Sequence, residues 1–142
     1  MDLLLILRDA LASSLMGGLL TAVEAKAAGQ EVAVVVTQEA LAALARGSFQ
    51  WPRELSGQEM RLLLADRGAA AGLPLLGKGE GRQLDVKALV ARASAAGVSI
   101  YACPVWSALL GLDSGLPQGL QALDKQGFLT IVHSAKTIIG TL

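Results

Sequence analysis

The sequence predicts an α/β fold built around a parallel sheet. Two observations carry that prediction. The amino-terminal third alternates strand, helix, strand, helix, which is the signature of right-handed βαβ units. The first strand in it, Leu3–Leu7, is also a continuous apolar run rather than an alternating one. A strand reads that way when helices cover both of its faces.

The elements follow in order. Leu3–Leu7 is bounded by Asp2 and Arg8. Met16, Leu19, Leu20, Val23 and Ala27 then recur at helical spacing, and Gly29 closes that helix. Glu31–Val36 is rich in β-branched valine. Thr37 is placed to cap a helix ending near Ala45, with Glu39 in its first turn. Residues 46–55 contain Gly47, Trp51 and Pro52 and read as a loop. Ser56 and Glu59 form a capping box for a helix through Ala71. Residues 72–84 form a second loop with Pro74 and the run Gly77-Lys-Gly-Glu-Gly-Arg82. Asp85 caps the next helix, whose Val86, Leu89, Val90 and Ala93 share a face. Gly97 ends it, and Val98–Ala102 is a third strand. Pro104 suits the first position of a following helix and holds Cys103 in an extended conformation before it. After a turn-rich stretch from Gly111 to Gly119 come a short fourth strand, Leu120–Leu123, a helix from about Gln126 to Ala135, and a final strand, Thr137–Leu142.

Composition sets bounds on function. The 142 residues fit one domain, 1–142, and suffice for a core without disulfides or metal. That core is aliphatic, because 53% of residues are hydrophobic and only 4% aromatic. Twelve basic and twelve acidic residues cancel, so no basic stripe points to nucleic acid. The apolar excess on a neutral chain points to surface buried between subunits. One cysteine excludes an internal disulfide and any CxxC pair, and one histidine beside it leaves no zinc spacing. No metal ion or cofactor is called for. The apolar amino terminus carries Asp2 where a leader would carry positive charge, and Arg8 and Asp9 interrupt it. The longest uncharged run, Ala93–Leu112, is broken by Gly97 and Pro104. No membrane span is expected, and a reducing, cytoplasmic home is the simpler one.

Cys103 is the candidate catalytic residue. It stands at the carboxyl end of a strand, where ligands gather in open α/β sheets. It also stands at the amino end of a helix, which favours a thiolate. The alternative is equally physical: lone cysteines are often buried as small hydrophobes. Arg8 and Asp9 follow the first strand, and if that strand neighbours the Cys103 strand, Arg8 can steady an anionic sulfur. Otherwise they are solvated residues at a strand end. Trp106, three residues after Cys103, either walls the thiol pocket or packs in the core. Trp51, in a loop, suggests a subunit contact. His133 is structural unless the fold brings it to Cys103. The glycine-rich run lacks the phosphate-loop string and opens no helix directly, so it reads as a flexible surface loop able to act as a lid.

The order and pattern resemble the DsrE/DsrF-like proteins of sulfur relay. The residues that carry the resemblance are Ala22-Val-Glu-Ala25 with the turn Ala28-Gly29, then Ala95-Ala-Gly-Val-Ser-Ile-Tyr-Ala-Cys103 and Ala108-Leu-Leu-Gly-Leu112, and the closing helix and strand. The resemblance implies a three-layer α/β/α sandwich with a mainly parallel sheet of about five strands. It implies small cytoplasmic homo-oligomers, trimers or hexamers, and a persulfide on Cys103 exchanged with a sulfur donor or acceptor protein. Two other classes stay open. One is a thiol peroxidase, which would need an external resolving thiol. The other is a non-catalytic binding or assembly subunit with an inert Cys103.

Overall fold

The computed structural model describes residues 1–140. Four strands, β1 (Leu3–Leu7), β2 (Val32–Val36), β5 (Ser99–Ala102) and β6 (Thr137–Gly140), form a parallel sheet in the order β5-β2-β1-β6. Leu5 of β1 pairs with Val34 on one side and Ile139 on the other. Helices α1 (Ala12–Ala27), α2 (Gln38–Arg46) and α4 (Val86–Ala95) cover one face. Helix α6 (Lys125–Ser134) covers the other, which completes the α/β/α layers.

The pleat sorts the apolar strands between the two faces. On the first face Leu3 and Leu5 meet Leu15, Leu19, Leu41, Leu44, Leu89 and Val90 from the three helices. On the second face Leu4, Ile6, Ala33 and Val35 meet Phe128, Ile131 and Val132 of α6. The faces are unequal, because no residue of α6 is fully buried.

The predicted fourth strand shrinks to one bridge. Gln121 pairs with Tyr101, donating to the Ile100 carbonyl at 2.8 Å and accepting from Ala102 N–H at 3.0 Å. Gly119, at φ +91°, turns the chain just before it, and Asp124 caps α6 just after it by accepting from Gly127 N–H at 2.6 Å. No room is left for a longer ladder. The final strand holds over Thr137–Gly140; its last two residues, 141 and 142, lie outside the described residues.

Two local expectations are corrected. The Ser56–Glu59 capping box does not form. Ser56 Oγ donates to the Arg53 carbonyl at 3.1 Å within a short 3-10 turn, and α3 (Gln58–Ala70) starts from Gly57 instead. Thr37 stands at the cap of α2, but its hydroxyl makes no cap bond. The Ala40 N–H donates to the Arg8 carbonyl at 2.8 Å, so the end of β1 satisfies that helix start. Asp85 caps α4 as expected, accepting from Ala88 N–H at 3.0 Å.

The second predicted loop is a small antiparallel hairpin of β3 (Leu75–Leu76) and β4 (Gln83–Leu84). Its glycine-rich turn is pinned rather than loose. Arg82 grips Asp66 of α3 through two bonds, at 2.7 and 2.9 Å, and donates to the Gly79 carbonyl at 2.7 Å. Arg61 of α3 donates to the Glu80 carbonyl. Gly77 is required here: its φ is +78°, and a Cβ would lie 2.7 Å from the Gly81 oxygen.

Two carboxylates tie distant elements and are held below the usual carboxylate range. Lys136, and then the Glu31 N–H, lower Asp2; Arg82 lowers Asp66. As pH falls, the unfolded chain takes up these protons first, near its ordinary pKa of about 3.9. The stability they give is therefore complete above that value and lost as pH falls through the depressed folded values. Both pairs are exposed and solvent-screened, so thermal melts below about pH 5 should show a shallow acid limb that Asp2→Asn with Asp66→Asn flattens. An unchanged limb would mean that neither pair couples to folding.

Candidate functional site

Because the sheet is parallel, the carboxyl ends of β1, β2 and β5 share one edge. The ladder runs one residue beyond the strands there. Cys103 N–H donates to the Val36 carbonyl at 2.9 Å, and Thr37 N–H donates to the Leu7 carbonyl at 3.0 Å. This fixes the backbone of Cys103 against the end of β2. Pro104 then opens α5 (Pro104–Leu109), and Ser107 N–H donates to the Cys103 carbonyl at 2.9 Å.

Cys103 is a free, half-buried thiol. Its side chain joins the second-face cluster, with Tyr101, Leu123 and Phe128 also packed there. Trp106 packs against the first-face cluster instead, and so does Trp51. Trp106 and Cys103 thus pack against opposite faces of the sheet. The helical-face rule fails here because Cys103 is still extended, at φ −57° and ψ 128°, and the helix begins only after it.

Arg8 and Asp9 lie on the same sheet edge as Cys103, but β1 does not neighbour β5. The intervening β2 puts their backbones roughly 10 Å apart, two strand spacings. Asp9 is engaged locally, accepting from Leu11 N–H at 3.0 Å ahead of α1. Both residues line an apolar groove of about 360 Å³ between α1 and β6, together with Leu5, Gly17, Gly18 and Ile139. His133 is exposed in the last turn of α6. That end of α6 leads into the start of β6 beside Leu3, at the amino edge of the sheet, whereas Cys103 stands at the carboxyl edge.

Two features were not singled out from the sequence. A cleft of about 560 Å³ adjoins α5, lined by Pro104, Ser107, Asp113, Ser114, Leu116 and Leu123 among others. Leu123 belongs both to this cleft and to the cluster that holds Cys103. The sequence signal for it is the turn-rich composition of residues 111–119. The second feature is Gln38, which sits at φ +52° directly after β2 and Thr37. It is the one non-glycine residue with positive φ among the described residues. A left-handed conformation costs an L-residue about 1–2 kcal/mol, and nothing in the sequence marks it. Gln38→Gly should therefore raise stability by about 1 kcal/mol, read as a higher urea midpoint. A lower midpoint would show that the glutamine side chain more than offsets its strain.

No protein-family model and no curated protein matches the sequence. Among solved structures the chain resembles the crystal structure of the ychN protein from E. coli. The TM-score is 0.62 at 15% identity, over 99% of this chain and 100% of that one. At this identity the likeness shows a shared fold. Among the described residues, no helix is long and apolar enough to cross a membrane.

Proposed function

We propose that this chain is a DsrE/DsrF-like sulfur carrier, which holds a persulfide on Cys103 and passes sulfur to the thiol of a partner protein. The observation that carries the reading is the position of its one thiol. Cys103 is a half-buried residue on the carboxyl edge of a parallel sheet, in a fold similar to that of ychN. The Cys103 thiolate attacks the outer sulfur of a persulfide or polysulfide donor. The donor S–S bond breaks, the donor leaves as a thiolate, and Cys103 becomes Cys–S–S⁻. An acceptor thiolate then attacks the terminal sulfur, and Cys103 leaves as a thiolate again. One cysteine suffices, because the second thiol belongs to the partner. Cys103 packs against the same buried cluster as Tyr101, Leu123 and Phe128, and its residue is only half-buried, which leaves it open to a partner.

On this reading Arg8 and Asp9 shape the shared sheet edge rather than touch the sulfur, and Trp106 braces α5 from the opposite face. The chain works as one domain in the cytoplasm, as a homo-oligomer of three or six copies. The apolar packing of Cys103 favours one competing reading, a binding or assembly subunit with an inert thiol. Alkylation of the native protein separates the two. A carrier thiol reacts with iodoacetamide in the folded state, whereas an inert one waits for denaturant.

A further inference from the structure

The two edges of the sheet are treated differently. At β5 the chain covers its own edge, with Gln121 bonded to Ile100 and Ala102. At β6 nothing among the described residues does so. The Thr137 N–H donates inward to the Asp2 carbonyl at 3.1 Å, so strand alternation turns the N–H and C=O of Ile138 and Gly140 outward. Edge strands are ordinarily blunted by charge, proline or a bulge. Thr137-Ile-Ile-Gly140 has no charge or proline and pairs in unbroken register with β1. Ile138 and Ile139 are 46% and 50% exposed, one on each face of the sheet.

We infer that β6 is the contact with a second copy of this chain, paired antiparallel across a two-fold axis at Ile139. This rests on the homo-oligomer part of the proposed function and names its surface. In that register Ile138 of each copy faces Gly140 of the other, and these are the residues whose backbone groups point outward. Gly140 brings no side chain against the incoming Ile138. A two-fold contact must be self-complementary, and charge decides that here. The strand is neutral, so it meets its own copy without like-charge repulsion. The one flanking charge, Lys136, is already tied to Asp2 at 2.7 Å. The whole chain has twelve charges of each sign, so no net repulsion opposes association.

The test is the solution mass of the full chain by sedimentation velocity, with two β6 variants. Ile138→Pro removes only an outward N–H, and Ile139→Lys sets a charge beside its own image. Leu109→Lys, on the equally apolar but remote surface of α5, is the control. The expected result is an even-numbered wild-type assembly whose mass halves in both β6 variants, with circular dichroism unchanged, and stays whole in the control. A wild-type monomer would overturn the oligomer reading and this assignment together. An assembly that is odd-numbered, that keeps its mass in both variants, or that also halves in the control would overturn the β6 contact alone.

Discussion

Cys103→Ser is expected to abolish sulfur transfer while leaving the fold in place. The thiol is the only one in the chain, and a serine hydroxyl forms no persulfide. What holds the residue is its backbone: the N–H to Val36 and the carbonyl to Ser107. Neither bond uses the side chain. Serine is also a better helix cap than cysteine, so the stability change should stay within about 1 kcal/mol. The measurement is the rate at which a polysulfide-loaded protein passes sulfur to an acceptor thiol, beside the melting temperature. Loss of transfer with an unchanged melt is the expected pair. Transfer that survives in the variant would place the chemistry away from Cys103.

The largest effect on stability is expected from Leu4→Ala. Leu4 is fully buried in the middle of the sheet, paired with Ala33 on one side and Ile138 on the other. Its face is roofed by one helix, α6, through Phe128, Ile131 and Val132, with Leu123 beside them. Ala33 is too small to fill the space left by a lost leucine, and the neighbouring strands cannot close on it. The cavity should cost about 2–5 kcal/mol in a urea titration. Cys103 packs against the same cluster, so the variant should also react faster with alkylating agents. A loss below about 1 kcal/mol would mean that this face relaxes into the gap.

Much of this was legible in the sequence where one physical demand dominates. A continuous apolar run marked β1, because both of its faces are covered, and β-branched valines marked β2. Asp85 announced α4, because a carboxylate ahead of an apolar face has one local use. The misreadings occur where two demands compete. The Ser56 hydroxyl had a nearer carbonyl, Arg53, and took it in place of the helix amide. The helical spacing from Cys103 to Trp106 failed because the rule starts inside the helix and not at its cap. The two-residue strands of the hairpin are too short to leave a period of two. Strand order was not legible at all. That β2 stands between Arg8 and Cys103, and that His133 sits at the far edge, follows from how the crossovers pack and not from any spacing along the chain.

The most direct test of the sulfur-carrier reading is the intact mass of the native protein after incubation with thiosulfate or polysulfide, beside Cys103→Ser. The expected result is a gain of one sulfur atom, reversed by reductant and absent from the variant. No adduct on the wild-type chain, with a thiol that stays unreactive until denatured, would contradict it and leave Cys103 as part of the core.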